Sequence, residues 1–157
     1  MEILTESLAP GEFAPETTFL NTASTGLLPA RAVDALQRAV RFMAGGTASD
    51  ELYVDMEQAR QSFARLAGVG RDRVAAGASV ALFAGLIAAA LPHGAEVLTA
   101  EGDFTSVVTP FHARGDLKVR TVPLDRIAEA VRPGTALVAV SAAQSADGRI
   151  ADLPALR

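Results

Sequence analysis

Gly77-Ala78-Ser79, directly before the apolar run that opens at Val80, is the segment of this chain best suited to chemistry. If that run is a helix, its first N–H groups are unpaired and its dipole points its positive end there, so the turn can seat a phosphate. Gly77 permits close approach of backbone, and the Ser79 hydroxyl can add a hydrogen bond. A serine in this place is nevertheless more often a plain helix cap than a phosphate ligand. No Gly-Lys-Ser/Thr follows, so the turn is no P-loop, and the second and third glycines of a dinucleotide fingerprint are absent.

Two further stretches sit where ligands bind in α/β proteins, beyond the carboxyl ends of strands. Phe104 lies a few residues past an expected strand at 96–99, although the usual fate of a phenylalanine is the core. Residues 141–148 follow an expected strand at 137–141, and there Gln144 and Ser145 can donate hydrogen bonds or simply satisfy a loop. Glu101, Asp103 and Asp147 fall on the same kind of loop and read as solvated turn residues. His93 belongs to a Pro-Gly turn and His112 to a helix surface. The chain has one lysine, Lys118, two histidines and no cysteine, so disulfides, thiolate metal sites and a cysteine nucleophile are excluded. No metal-ligand spacing and no nucleophile triad is present.

At 157 residues, half of them hydrophobic and a fifth charged, the chain can bury a sizeable core. A net charge of −4 without a basic stripe makes nucleic acid an unsuitable partner. The opening MEILTESLAPGEFAPE lacks the basic and apolar regions of a signal peptide, so the expected compartment is cytoplasmic. Residues 1–18 read as an irregular arm. Val33, Leu36, Val40 and Met43 recur at helical spacing over 31–44, and Gly45-Gly46 stops that helix. A second helix is expected from Ser49 or Asp50 to Ala67, ended by Gly68. From 74 onward strands are expected at 74–76, 96–99, 117–122 and 137–141. Between them come a buried helix at 80–91, too short for a membrane span, one at 104–114 bent at Pro110, and one at 124–131. Such alternation argues an α/β, three-layer architecture with a mostly parallel sheet. Asp152 and Pro154 read as the cap and first turn of another helix.

Four of these segments together resemble class V aminotransferases and cysteine desulfurases, which are fold type I enzymes dependent on pyridoxal 5'-phosphate (PLP). Phe19-Leu20-Asn21-Thr22-Ala23-Ser24-Thr25-Gly26 is similar to that family's opening Y-L-(D/N)-x-A-(A/S). Ala76-Gly77-Ala78-Ser79-Val80-Ala81 is similar to its R-G-T-T-E-(G/A) phosphate loop. Glu101-Gly102-Asp103-Phe104-Thr105-Ser106 resembles the segment with the ring-stacking side chain, and 139–148 resembles (T/S)-H-V-x-N-x-x-G. The resemblance implies that Ala78 and Ser79 hold the PLP phosphate and that Phe104 stacks on the ring. It further implies that Ser145, helped by Gln144, approaches the phenolic oxygen, and that Ser24 and Thr25 lie toward an amino-acid substrate. Ala78 and Val80 replace polar residues of the phosphate loop, Ala142 replaces a histidine, and Ser145 is shorter than the family's asparagine.

The family's cofactor-binding lysine, and the aspartate that pairs with the pyridine nitrogen, lie beyond residue 157 by this resemblance. The expectation is therefore an N-terminal portion of such an enzyme: an arm and substrate-side loop over 1–30, and an incomplete PLP-binding large domain over 31–157. The sheet would be completed by a complementary C-terminal half or a homologous full-length chain, in a homo- or hetero-oligomer. When complete it would act as a lyase or desulfurase, an epimerase or an aminotransferase. The alternatives are a truncated, non-catalytic pseudoenzyme serving as a binding or scaffold subunit, and an unrelated nucleotide binder of Rossmann type.

Overall fold

The computed structural model describes residues 9, 11–22, 24–46 and 49–156, with the side chains of 49–52 outside the description. Contacts divide the chain into two compact units, residues 1–75 and 76–157.

In the first unit, α1 (Ala30–Gly45) begins after Pro29, which caps with no side chain, and ends at Gly46 in the left-handed conformation. Glu12 supplies what the proline lacks. Its carbonyl accepts from the Ala30 N–H at 2.8 Å and its carboxylate accepts from the Arg31 N–H at 3.3 Å, which places a negative group on the helix's positive end. The helix α2 (Ser49–Ala67) stops at Gly68, also at positive φ. A one-turn 3₁₀ segment, Arg71–Arg73, is tied back to α2 by Arg60, which donates to the carbonyls of Val74 and Arg71 and pairs with Glu57. The expected strand at 74–76 does not form. Val74 is extended, at φ −113° and ψ 121°, yet residues 74–76 pair with no strand among the described residues. An extended segment becomes a strand only when a neighbour takes its N–H and C=O groups.

The second unit is an α/β layer. In chain order it has α3 (Val80–Ala90), β1 (Glu96–Ala100), α4 (Thr105–Ala113), β2 (Lys118–Val122) and β3 (Thr135–Ala139). The strands form one sheet, order β2-β1-β3, with both pairings parallel. Side chains alternate between its faces as the period of two requires. Leu98, Ala100, Val122, Val138 and Val140 face Leu124, Ile127 and Ala151, whereas Val97, Val119, Leu137 and Ala139 face Ala84, Ala88 and Phe111 of α3 and α4. The central strand is the most buried element, with Val97, Leu98 and Thr99 fully enclosed. The Thr99 hydroxyl is satisfied by the Thr121 hydroxyl at 3.0 Å.

Two expectations are corrected here. The apolar run at 80–91 is a helix, but only Ala84 and Ala88 are buried, while Val80, Leu82, Leu86 and Ile87 are about half exposed. An apolar helix buries only the side on which it has a neighbour, and within the second unit α3 turns Ala84 and Ala88 to the sheet and α4. At 124–131 the chain makes a 3₁₀ turn, Leu124–Arg126, followed by further turns, rather than an α-helix. Pro133 lies too close behind for a helix to be continued, and Leu124 and Ile127 already fill the sheet face. Near the end, Pro154–Leu156 is a 3₁₀ turn whose Ala155 N–H donates to the Asp152 carboxylate at 3.2 Å, so Asp152 is the cap the sequence suggested. Among the described residues no helix is long and apolar enough to cross a membrane.

Candidate functional site

The carboxyl ends of β1 and β3 and the amino end of α3 come together on one edge of the second unit. α3 returns through a short turn into β1, and its 11 residues span about 16 Å, as do the five residues of the strand. The start of the helix therefore lies level with the end of β1. An open cavity of about 270 Å³ on this side is apolar and is lined by Val80, Phe83, Val107, Phe111, Leu137 and Val140, among others. Val80 follows Ser79, Val107 is three residues past Phe104, and Val140 precedes Ser141. The cavity is thus lined by chain neighbours of the three segments singled out in the sequence.

Ser79 is extended and caps α3, its hydroxyl oxygen accepting from the Leu82 N–H at 3.2 Å. Among the described residues no acceptor takes its own proton. The N–H groups of Val80 and Ala81 have no partner within the helix, and the first turn carries no acidic residue. At Gly77 the constraint is space rather than φ. A Cβ there would come within 2.6 Å of the Phe83 ring, so the close approach this glycine permits is that of an aromatic side chain. Gly102, in the turn after β1, is the opposite case: a Cβ would meet nothing, but its φ of 72° is left-handed.

Asp103 is the residue that sequence reasoning missed. Read there as a solvated turn residue, it is only 8% exposed. One carboxylate oxygen, Oδ1, accepts from the Phe104 N–H at 2.7 Å and the Ser141 hydroxyl at 2.5 Å. The other, Oδ2, accepts from the Ser141 N–H at 2.8 Å and the Gln144 amide nitrogen at 3.3 Å. Gln144 is 4% exposed, and its amide nitrogen also donates to the Ser141 carbonyl, so this group is engaged inside the loop. The signal in the sequence was an acceptor-only side chain past one strand and a serine past the next. That they meet depends on β1 and β3 being neighbours across 38 residues, which no local pattern reveals.

Burial pushes the Asp103 carboxyl up, but hydrogen bonds from Ser141, Phe104 and Gln144 outweigh it, and the net shift is downward from 3.8. A carboxylate held low in the folded state adds stability that is complete above its ordinary value. That stability is lost as pH falls through the lower, folded value. Urea midpoints measured on acidification below 3.8 are thus expected to fall more steeply for the native chain than for Asp103→Asn, which has no proton to gain. Parallel curves would deny Asp103 this part in acid sensitivity.

Of the other residues named from sequence, Phe104 is about half exposed, with no core partner for much of its ring, and Ser145 is exposed in the turn that closes with Gly148. Ala78 lies in the unpaired stretch leading to Ser79. Ser24 and Thr25 belong to the first unit, exposed, with both N–H groups donating to the Asn21 carbonyl at 3.1 and 3.0 Å. Lys118 starts β2 opposite Glu96, the first residue of β1, and so occupies the sheet edge away from Phe104. His93 and His112 are exposed, as are Glu101 and Asp147, and no group of His, Asp or Glu among the described residues could hold a metal ion.

No family model matches this sequence, and no curated protein matches it. The structure is similar to a solved structure described as a lysine-to-alanine mutant of C-DES with glycine covalently linked to the PLP cofactor. The TM-score is 0.74 at 19% identity, covering 90% of this chain. The chain spans 42% of the length of that protein. This likeness shows the fold: the chain has the α/β layout of an N-terminal part of a fold type I PLP-enzyme domain.

Proposed function

We propose that this chain forms the phosphate seat and the ring-facing wall of a PLP-dependent enzyme acting on an amino acid. The observation that supports the reading is an apolar cavity lined by Val80, Val107 and Val140, near neighbours of Ser79, Phe104 and Ser141 in the chain, in a fold whose solved counterpart holds PLP. Bound PLP supplies an electron sink for bonds at the substrate's α-carbon. The residues present fit it. The N–H groups at the start of α3, unpaired within the helix, and the hydroxyl of Ser79 suit a phosphate dianion, with the main chain of Ala78 as a further contact. Phe104 offers an apolar face half open to solvent, on which a pyridine ring can stack. Ser145 is the exposed hydroxyl on the far loop, and Gln144 supports it from within through Asp103 and Ser141.

The amine that would hold the cofactor is not provided by Lys118, which stands at the opposite edge. The lysine is proposed to come from further polypeptide, in the same protein or a partner, which would also pair with the open edge of β3 and the extended 74–76 stretch. A lyase or desulfurase, an epimerase and an aminotransferase share this half of the site, and Ser24 and Thr25 are proposed to serve the substrate side.

Ser79→Asp tests the phosphate seat without disturbing the helix, because aspartate caps as well as serine. Its charge would face the phosphate, and PLP affinity measured by equilibrium dialysis is expected to fall about tenfold or more, equivalent to about 1.4 kcal/mol, at an unchanged melting temperature. Equal PLP retention by both proteins would remove the seat from α3. Capture of a partner by a chain that never retains PLP would favour a non-catalytic scaffold instead.

A further inference from the structure

Phe104 and Ser145 stand on loops that follow different strands, and a cofactor ring between them needs those loops held at a fixed spacing. We infer that Asp103 is the positioning residue that sets this spacing, its carboxylate clasping the β1 and β3 loops together; what it positions rests on the PLP reading above. The four donors come from three residues on the two loops, and each oxygen takes one bond from Ser141. By taking the Phe104 N–H, Asp103 fixes the backbone from which the exposed ring projects.

The contrast with the sheet's other carboxylate tie is informative. Glu96, at the amino edge, joins Thr135 of β3 at 2.7 Å and is paired with Arg120 at 3.0 Å. Asp103 has no ion pair among the described residues and is more deeply enclosed. A charge without a counter-ion depends wholly on the direction of its donors, so the clasp holds only one arrangement of the two loops. Asparagine has the same shape but replaces one acceptor oxygen with a donor, which sets a backbone N–H, that of Phe104 or that of Ser141, against its NH₂. Asp103→Asn therefore releases one side of the clasp without opening a cavity.

The experiment compares the native chain with Asp103→Asn in two readouts. In hydrogen exchange, the Phe104 or the Ser141 amide, whichever faces the new NH₂, is expected to speed up in the variant while the β1–β2 ladder amides keep their rates. In binding, PLP affinity is expected to fall about tenfold, while affinity for inorganic phosphate, which reads the start of α3 alone, stays the same. Combined with Phe104→Ala, the Asp103→Asn loss should be less than additive, because part of it acts through that ring. Unchanged exchange at both Phe104 and Ser141, an equal loss for phosphate and PLP, or fully additive losses would overturn the positioning role. If the native chain retains neither probe, the PLP reading fails, and the exchange result alone decides the clasp. Should Asp103→Asn not fold, Ser141→Ala, which removes only the hydroxyl bond, gives the same comparisons at smaller size.

Discussion

Replacing Phe111 with alanine is expected to lower folding stability by about 3–5 kcal/mol. Phe111 is 2% exposed and is the largest side chain fully enclosed among the described residues. It lies between α4 and the sheet, in one cluster with Ala84, Ala88 and Val97, and with Leu91, Leu117 and Leu137 at its margin. Ala84 and Ala88 are too small to anchor α3 by themselves, so much of what keeps that helix on the sheet is the phenylalanine they rest against. Domains of this size are stable by only about 5–15 kcal/mol in total, so the loss is a large share of the whole. The check is urea denaturation, with a lower midpoint at an unchanged slope. A loss below about 1 kcal/mol would mean that α3 is held by something other than this cluster. Because Ser79 rides on α3, the same variant should weaken phosphate binding before it unfolds.

Most of the fold is legible in the sequence because the signals are local. The period of α1, the glycine stops after α1 and α2, and the cap at Ser79 each depend on a few adjacent residues, and each is where it was expected. The parallel sheet follows from strand and helix alternation. What escapes the sequence depends on neighbours. Val74 has strand character but no strand beside it among the described residues, so it stays extended without a ladder. Ile127 has helical spacing from Leu124, yet sheet packing and Pro133 leave the chain only turns. The run from Val80 has the composition of a buried helix, and composition cannot say that Val80, Leu82, Leu86 and Ile87 stay about half exposed. The candidate site divides in the same way. Ser79 and Phe104 are readable as residues at strand and helix ends, whereas Asp103 becomes meaningful only when Ser141 and Gln144 are brought to it.

On the other face of the sheet, Ile127→Ala is expected to lower stability by about 2–5 kcal/mol, for a reason specific to this site. Ile127 is 1% exposed and packs in the cluster of Leu98, Ala100, Leu124 and Ala151, with Val138 and Val140 against it. Ala100 ends β1 and Val140 follows β3, so this side chain supports from below the two strand ends whose loops Asp103 clasps. Part of its effect should therefore appear as faster exchange of the Phe104 and Ser141 amides, which Phe111→Ala should alter much less. The two clusters are separated by the sheet and share no side chain, so the stability losses in the double variant should add to within about 0.5 kcal/mol. A double variant much more stable than that sum would show that the faces are coupled through the strands. The phosphate seat and the ring wall would then be one mechanical unit rather than two independently supported halves of a site.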